Sequence, residues 1–484
     1  MNGCSRRDFL KHSAMAGAAF CASPLGALQL EQTPLVRRGA PKKIAILGAG
    51  LAGLAAGLEL SSAGHNVIIL EAQLRPGGRV RTLREPFSDG MYAEAGAGRI
   101  PSSHTLTLKY VRALGLKLAP FWPATMDDVY YLKGKRLKVP RGKDPDMTQV
   151  PLSLSAEERR LGSFDAIESK YIGKPRVEVG ETPAEQWPPQ RFNDYDQVTI
   201  AEFFRKQGVS QDATSFLVQG FEEDSALDFL RDAWSHSFPL SKIVGGNDQL
   251  PRGLAAKLTD KIRYGAKVTK IAADEKQASI SFETAAGQET LAADRIICAL
   301  PFSVLRNIDL PPGISDAKRS AIMNMNYGAV TRVYLQSRRK FWEDEGDNGY
   351  ATPDLPMEIW SPTYDQPSKR GIVMSYIYED LARKVGDMDQ PRRINYFLEL
   401  TDRIHPGMKQ NFEGGTSICW HRDPYQLGAY ALLGRGEVLK YEPEARRPEG
   451  RLHFAGEHAS PWPGWMQGAL YSGLRAAREV NEAG

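Results

Sequence analysis

The sequence predicts an α/β fold with more than one domain, and three observations support this prediction. First, its 484 residues exceed one ordinary hydrophobic core, because single domains seldom grow beyond about 250–300 residues. Second, apolar runs at 42–47 and 66–70 flank a stretch of small and apolar residues at 51–63, which is typical of a βαβ unit. Third, further strand-like runs alternate with helix-like stretches along the chain, as in α/β proteins.

The composition is that of an ordinary globular protein. Hydrophobic residues make up 42% and charged residues 25% of the chain, and a mean hydropathy of -0.39 argues against a membrane-embedded body. The formal net charge of +4 is small for this length and gives no reason to expect a nucleic-acid partner. We therefore predict neither a nucleic-acid partner nor a stable membrane span.

The first residues predict an export signal. Arg6 and Arg7 stand before Asp8-Phe9-Leu10-Lys11 and a short, mildly apolar run at 13–22. This order is typical of a twin-arginine signal peptide, which we assign to residues 1–27. The run is too short and too rich in Ala and Gly to span a bilayer. A periplasmic or secreted mature protein is expected, and a basic cytosolic tail is the alternative interpretation.

A glycine turn joins the first strand-like run to the helix that follows. Residues 48–53 have the Gly-x-Gly-x-x-Gly spacing, which lets the backbone approach a pyrophosphate and aims the helix N-terminus at its negative charge. Glu71 ends the second strand, where a carboxylate can accept hydrogen bonds from a ribose diol. The turn alone is a weak signal, but this context predicts a dinucleotide site. Its residues are Gly48, Gly50, Ala52, Gly53, Glu71 and Ala72.

The residues after Glu71 favour FAD over a nicotinamide cofactor. This run contains Gly77, Gly78 and Arg79. Paired glycines let the chain fold back beside the pyrophosphate, and Arg79 supplies a cation that the helix dipole alone does not provide. Gly78 and Arg79 therefore join the predicted cofactor site.

At this point the sequence resembles the flavin amine oxidase superfamily, which includes monoamine oxidases, polyamine oxidases and L-amino acid oxidases. Similar segments at 94–101, 242–251, 340–346 and 420–430 extend the resemblance over nearly the whole mature chain. It implies a Rossmann-like FAD-binding domain, a mixed-sheet substrate-binding domain and a helical insertion.

The predicted domain boundaries follow from this resemblance and from shifts in composition. The FAD-binding domain is discontinuous, at 41–100, 240–325 and 440–484, with the helical insertion at 105–235 and the substrate-binding domain at 326–439. Within the insertion, the Pro-rich and charged segment from Lys174 to Pro189 is predicted to be an exposed loop.

The segment Glu94 to Pro101 is similar to the one that passes beneath the flavin in L-amino acid oxidases. The resemblance implies that Arg99 binds the substrate carboxylate and that Gly98 and Arg99 border the cofactor. A guanidinium offers a planar pair of donors that matches a carboxylate and would not help to bind a simple amine. A structural arginine paired with a local carboxylate is the alternative interpretation.

The C-terminal segment predicts a strand and turn at 452–458 and a last helix that opens after Gly464. The start of that helix can present N–H groups to the flavin ring. The resemblance implies that Gly456 and Glu457 touch the ribityl-phosphate region, that Met466 lies beside the isoalloxazine ring, and that the strand of Val268 contacts adenine.

Cysteine usage bears on how FAD is held. Cys4 and Cys21 fall in the predicted signal peptide, which leaves Cys298 and Cys419, both interpreted as structural residues. Monoamine oxidases of the family tether FAD through a cysteine near the C-terminus, and none follows Cys419. Noncovalent FAD is expected, and no metal site is predicted.

The remaining site residues are assigned through the resemblance. Trp465 aligns with the aromatic wall beside the reacting carbon, and Trp360 and Trp462 are further candidates for it, with core packing as the alternative. Arg332 stands where the family typically has a lysine that holds a water near flavin N5, so rapid reaction with oxygen is in doubt. His236 lies near an active-site histidine of some members, with a structural role as the alternative.

The resemblance implies oxidative deamination of an L-amino acid. Arg99 would hold the carboxylate, the aromatic wall would orient a neutral amine, and hydride would pass from the α-carbon to flavin N5. The products would be a 2-oxo acid, ammonia and, with molecular oxygen as acceptor, hydrogen peroxide; the family also implies homodimers. Two alternatives stay open. One is a periplasmic oxidase or dehydrogenase of primary or secondary amines with a redox-protein acceptor, and the other is a flavin-carrying isomerase or binding protein.

Overall fold

The computed structural model of the chain describes residues 34–483. The predicted signal peptide at 1–27 lies outside the described residues. None of the described helices is long and apolar enough to cross a membrane.

The described residues form strands and helices in the following order. The strands are β1 (Lys43–Leu47), β2 (Asn66–Glu71), β3 (Thr82–Leu83), β4 (Ala93–Glu94), β5 (Ile100–Pro101), β6 (Leu118–Pro120), β7 (Asp127–Leu132), β8 (Lys135–Pro140), β9 (Leu240–Ile243), β10 (Ile262–Tyr264), β11 (Lys267–Ala273), β12 (Ala278–Thr284), β13 (Gly287–Ala293), β14 (Arg295–Cys298), β15 (Val330–Ser337), β16 (Asp347–Pro353), β17 (Met357–Trp360), β18 (Gly371–Tyr378), β19 (Phe412–Cys419) and β20 (Leu452–Phe454). The helices are α1 (Leu51–Ser62), α2 (Thr105–Ala113), α3 (Ala156–Leu161), α4 (Phe164–Gly180), α5 (Asn193–Asp196), α6 (Ile200–Lys206), α7 (Gln211–Val218), α8 (Ala226–Ser235), α9 (Gln249–Ala256), α10 (Phe302–Leu305), α11 (Asp316–Asn324), α12 (Glu379–Gly386), α13 (Gln390–Ile404), α14 (Met408–Asn411), α15 (Glu437–Arg446) and α16 (Met466–Glu482).

A parallel five-stranded sheet in the order β10-β2-β1-β14-β20 contains the predicted βαβ unit. Its central strands are apolar runs with buried side chains, as expected of a parallel sheet covered on both faces. The last helix, α16, crosses α1 at close range, because a Cβ on Gly473 would lie 2.2 Å from the carbonyl oxygen of Ala52. The first and last parts of the described chain thus pack into one domain.

A mixed seven-stranded sheet in the order β19-β15-β18-β17-β16-β7-β8 forms the second large layer. Its pairs are antiparallel except for β16 with β7. Strand β15 is buried along its whole length, so it lies at the centre of the packing. These two sheets, with the helices that connect their strands, give the predicted combination of a Rossmann-like domain and a mixed-sheet domain.

The segment predicted as a helical insertion contains strands as well as helices. Strands β7 and β8 lie within 105–235 and extend the seven-stranded sheet as a hairpin, which turns at Lys133 and Gly134 with φ of 47° and 78°. The predicted exposed loop from Lys174 to Pro189 is also wrong in part. Helix α4 continues through Pro175 to Gly180, and Trp187 is buried, with its indole N–H donating to Glu442 at 2.5 Å.

Candidate active site

A cavity of about 640 Å³ is lined by residues of both large sheets and of helices α1, α8 and α16. Nearly all of the residues predicted for the site line it. These are Gly48, Gly50, Ala52, Glu71, Ala72, Gly78, Arg79, Gly98, Arg99, Val268, Arg332, Trp360, Gly456, Glu457, Trp465 and Met466.

The glycine turn forms one edge of this cavity. Gly48 has φ of 98°, a left-handed conformation that glycine adopts without strain, and its N–H donates to the carbonyl of Leu70 at 2.8 Å. Helix α1 then begins after Gly50 without a side-chain cap. Its first N–H groups, which lack partners within the helix, therefore face an anion-binding position.

Gly53 is the one predicted residue of the turn that does not line the cavity. A Cβ there would lie 2.0 Å from the carbonyl oxygen of Gly48. The residue thus allows the helix to pack against the turn, and it acts on the site only through that backbone geometry. At Gly50, by contrast, a Cβ would have no atom within 4 Å.

Glu71 lies at the end of β2 beside the turn. Its Oε2 accepts a hydrogen bond from the N–H of Ala49 at 2.7 Å, and its Oε1 accepts one from the N–H of Gln73 at 2.8 Å. These bonds fix the carboxylate at the cavity edge, and each oxygen retains a second lone pair for a hydroxyl donor.

Arg79, in the segment after β2, forms an ion pair with Glu457, in the turn after β20. Arg79 Nη1 lies 2.6 Å from Glu457 Oε1 and also donates to the carbonyl of Ala429 at 3.1 Å. Glu457 Oε2 accepts the N–H of Gly464 at 2.8 Å. Burial alone would raise the pKa of Glu457, but Arg79 and the hydrogen bonds hold it below its ordinary value of 4.5.

Replacing Arg79 with Ala should destabilise the protein. The change leaves Glu457 as a buried carboxylate without its cation, a loss that typically costs about 3–5 kcal/mol. Because the pKa of Glu457 is depressed in the folded protein, the ion pair stabilises above pH 4.5 and this contribution is lost as the pH falls through the folded value. The difference in Tm between wild type and variant should therefore be large at pH 7 and shrink below pH 4.5. Arg252→Ala, whose side chain is 62% exposed, is the control, and an equal Tm for Arg79→Ala and wild type at pH 7 would contradict the role of the pair.

Arg99 stands in the second half of the cavity among aromatic rings. Its Cζ lies 5.1 Å from the ring centroid of Trp360, 5.3 Å from that of Phe121, 5.4 Å from that of Trp122 and 5.9 Å from that of Tyr376. At these distances the ring faces attract the cation. The guanidinium is therefore held in place by the surrounding rings.

Arg99 forms an ion pair with Glu358 through Nη2. Burial alone would lower the pKa of Arg99, but Glu358 raises it above its ordinary value. Within residues 34–483, no other acceptor is hydrogen-bonded to this guanidinium. Glu358 is thus the local carboxylate that the alternative interpretation of Arg99 requires. The other N–H donors of Arg99 have no acceptor among the described residues.

Glu358 was not predicted from the sequence, although the residue pattern of β17 could have indicated it. In Met357-Glu358-Ile359-Trp360 an acidic residue stands in a buried strand, two positions from Trp360 and so on the same face. A charge on the inward face of such a strand is uncommon unless it is paired.

Trp465 is fixed by three neighbours. Its ring centroid is 4.9 Å from that of His104 and 4.9 Å from that of His236, and its Nε1 donates to Asp232 Oδ1 at 2.9 Å. Burial, reinforced by His236, lowers the pKa of His104 to about 3, so this imidazole is neutral at neutral pH. Trp465 and His236 both line the cavity, whereas Trp462, which lies outside its lining, packs edge-on against Tyr471.

Arg332 is held rigidly on β15. Its Nη1 donates to the backbone carbonyl of Glu94 at 2.7 Å, and its Cζ lies 4.3 Å from the ring centroid of Tyr376. Tyr334 donates to the same carbonyl at 2.7 Å. The guanidinium thus lines the cavity with little freedom to move.

A row of titratable side chains on and beside α8 completes the cavity wall. Asp224, Asp228, Asp232 and His236 recur every fourth residue and all line the cavity. Asp228 and Asp232 lie on one face of α8, whereas Asp224 precedes the helix and His236 follows it. Burial raises the pKa of Asp228 to about 6, although Arg231 opposes the shift. Only His236 was singled out in the sequence, and the Asp-x₃-Asp-x₃-Asp-x₃-His spacing is the signal for the others.

The sequence profile of the flavin containing amine oxidoreductases matches residues 51–481. The chain belongs to this family. A relative of this oxidoreductase, YobN of Bacillus subtilis (strain 168), is 33% identical over 462 residues, which cover 91% of this chain and 95% of that protein. The L-amino-acid oxidase of Bothrops pauloensis is 30% identical over 476 residues, which cover 94% of this chain and 92% of that protein.

Solved structures of amine oxidases share the fold of this flavin amine oxidoreductase. A putrescine oxidase bound to putrescine superposes with a TM-score of 0.78 at 22% identity, covering 91% of this chain and 99% of that chain. The cyclohexylamine oxidase from Brevibacterium oxydans IH-35A gives a TM-score of 0.77 at 21% identity, covering 92% and 99%.

The flavin that the family implies fits the cavity. Helices α1 and α16 both begin there without a side-chain cap, so two sets of N–H groups face it. Glu71 and Arg79 add a fixed acceptor and a fixed cation. This donor set suits a ligand with both phosphates and a ribose.

Proposed function

We propose that this flavin amine oxidoreductase oxidises an L-amino acid to a 2-oxo acid, ammonia and hydrogen peroxide, with FAD held noncovalently. The observation that carries the proposal is Arg99, a buried cation that faces the cavity with donors left over after its ion pair with Glu358. A substrate carboxylate matches those donors. Relatives such as the Bothrops pauloensis enzyme, named L-amino-acid oxidases at about 30% identity over most of the chain, support the same conclusion.

The side chains of the cavity position the substrate. Arg99 binds the carboxylate, while Trp360 and Trp465 confine the substrate between fixed ring faces and exclude water. Bound flavin supplies the acceptor for two electrons. With oxygen as the final acceptor and one water consumed, each turnover converts one amino acid and one O₂ to one 2-oxo acid, one ammonia and one H₂O₂.

An amine oxidase is the second candidate, and Glu358 favours it. An amine substrate would leave the Arg99–Glu358 pair intact, as no carboxylate competes for the guanidinium. Anaerobic mixing with L-phenylalanine and with phenethylamine separates the two candidates. Flavin bleaching by the amino acid alone supports the proposal, bleaching by the amine alone supports the second candidate, and no bleaching across a broad panel indicates a flavin protein without redox turnover.

Arg332 provides a test of oxygen as the acceptor. A lysine in its place would be shorter and could hold a water against the cavity, whereas Arg332 is tied to the carbonyl of Glu94. We expect Arg332→Lys to speed reoxidation of the reduced flavin by oxygen about tenfold, with substrate reduction changed much less. Stopped-flow mixing of reduced enzyme with oxygen measures this, and Arg338→Lys, an exposed position just beyond β15, is the control. Slower reoxidation in Arg332→Lys would show that Arg332 itself promotes the oxygen reaction.

Noncovalent FAD, export and a homodimer complete the proposal. Flavin released into solution on denaturation supports noncovalent binding, and flavin retained on the polypeptide contradicts it.

Export by the twin-arginine pathway to the periplasm or beyond predicts that Arg6→Lys with Arg7→Lys leaves the protein in the cytoplasm. Sedimentation of the purified enzyme measures its oligomeric state.

A further inference from the structure

Asp224 is a buried carboxylate that has no partner among the described residues. It is 8% exposed and lines the cavity. Across the described range 34–483, its carboxylate accepts no hydrogen bond and forms no ion pair. Such a group is costly to keep in a folded protein unless something else pairs with it.

The charged groups that act most strongly on Asp224 are all acids. Burial, followed by Asp228, Glu379, Asp232 and Glu222, raises the pKa of Asp224 well above its ordinary value. A bound cation would reduce this repulsion and would supply the partner that Asp224 lacks.

Three of the neighbouring acids, unlike Asp224, already have partners. Asp228 pairs with Arg231 and accepts the N–H of Leu433, and Asp232 accepts the indole N–H of Trp465. Glu379 pairs with Arg383 and accepts the N–H of Ala329. Asp224 is therefore the buried acid of this group that is left for a ligand, since Glu222 is only partly buried.

A series of aromatic rings leads from Arg99 to the turn that holds Asp224. The ring centroid of Tyr376 lies 5.9 Å from Arg99 Cζ and 4.7 Å from the ring centroid of Tyr378. The ring centroid of Tyr378 in turn lies 5.1 Å from that of Phe221. The carbonyl of Phe221 accepts the N–H of Asp224 at 3.1 Å. Tyr376, Tyr378 and Phe221 all line the cavity, and their faces suit the methylene stem of a long side chain that ends in a cation.

We propose that Asp224 is a specificity residue that binds the positively charged end of the substrate side chain, so that the preferred substrates are L-amino acids with an ammonium or guanidinium group. The inference rests on the proposed function, because Arg99 then holds the carboxylate while Asp224 holds the distal cation. Asp224 takes no part in the oxidation itself.

Matched substrates test the proposal on the purified holoenzyme. L-Arginine and L-citrulline differ in the charge of the terminal group, as do L-lysine and L-norleucine, which lacks the ammonium. We expect kcat/KM to favour the charged member of each pair at least about tenfold. Asp224→Asn should abolish most of this ratio, chiefly through KM for the charged substrate, and leave L-norleucine within a few fold. Asp380→Asn, whose side chain is fully exposed, removes the same charge from the surface and should leave both ratios unchanged.

The outcomes separate this inference from the proposed function. If the unaltered enzyme oxidises the neutral members as well as or better than the charged ones, the subsite is refuted while amino acid oxidation stands, and this holds even if Asp224→Asn fails to fold. If no amino acid is oxidised, the proposed function fails, and putrescine against butylamine then tests Asp224 alone. Equal rates for that pair would refute the subsite as well.

Discussion

Replacement of Arg99 with Ala is expected to lower kcat/KM for an L-amino acid roughly a thousandfold. The change removes the cation that faces the cavity and leaves Glu358, 19% exposed, without its partner. Removing one partner of a buried, hydrogen-bonded charge pair between protein and ligand typically costs about 2–5 kcal/mol of binding free energy, and about 1.4 kcal/mol corresponds to a factor of ten. Steady-state kinetics with L-phenylalanine measures the loss, and the ratio to phenethylamine shows whether the carboxylate is the group concerned.

Arg99→Lys and Glu358→Gln sharpen this result. A lysine keeps the charge but lacks the planar pair of donors, so we expect it to recover only part of the activity. Glu358→Gln releases the guanidinium from its ion pair and should lower KM for the amino acid if the two carboxylates compete. Arg252→Ala, an exposed arginine, controls for the general loss of charge. Unchanged activity of Arg99→Ala on amino acids, with full flavin content, would refute the role of Arg99 in binding the carboxylate.

The parts of the site that were predictable from sequence are those set by local backbone geometry. The turn at 48–53 and Glu71 follow each other within one βαβ unit, so their spacing alone brings them together. The roles of Gly456, Glu457 and Met466 came from the family resemblance, and the predicted strand, turn and helix start at 452–466 are present in the structure. The family resemblance then related Arg99 and Trp465 to these groups.

The parts that were missed depend on contacts between distant segments. Glu358 becomes informative only when β17 brings it to Arg99, which is 259 residues away in sequence. The acids on and beside α8 become part of a cavity wall only when the fold brings them to the cavity that strands of both sheets also line. Strands β7 and β8 were hidden in a segment of helical character, because β16, which joins β7 to the sheet, lies far along the chain. Tertiary packing overrides local pattern in each case.

Gly50→Ala is expected to weaken flavin binding without harming the fold. Gly50 has φ of -71°, which alanine adopts readily, and a Cβ there would meet no atom within 4 Å. The methyl group would instead occupy the space at the start of α1 where a pyrophosphate would lie. Overpacking of this kind costs about 1–3 kcal/mol, so flavin affinity should fall roughly tenfold to a hundredfold. Titration of the apoprotein with FAD, followed by quenching of flavin fluorescence, measures the change.

Two other glycines make this result interpretable. Gly313→Ala also introduces a Cβ with no atom within 4 Å, but at a position outside the cavity lining, and it should leave both Tm and flavin affinity unchanged. Gly53→Ala places a Cβ 2.0 Å from the carbonyl oxygen of Gly48, so it should lower the Tm of the apoprotein as well as flavin affinity. Normal FAD affinity in Gly50→Ala would mean that the pyrophosphate does not approach this turn. If Gly50→Ala has a normal Tm but binds FAD weakly, while Gly53→Ala loses both, the two glycines have separate functions. Gly53 then brings the helix to the turn, and Gly50 leaves room for the phosphates.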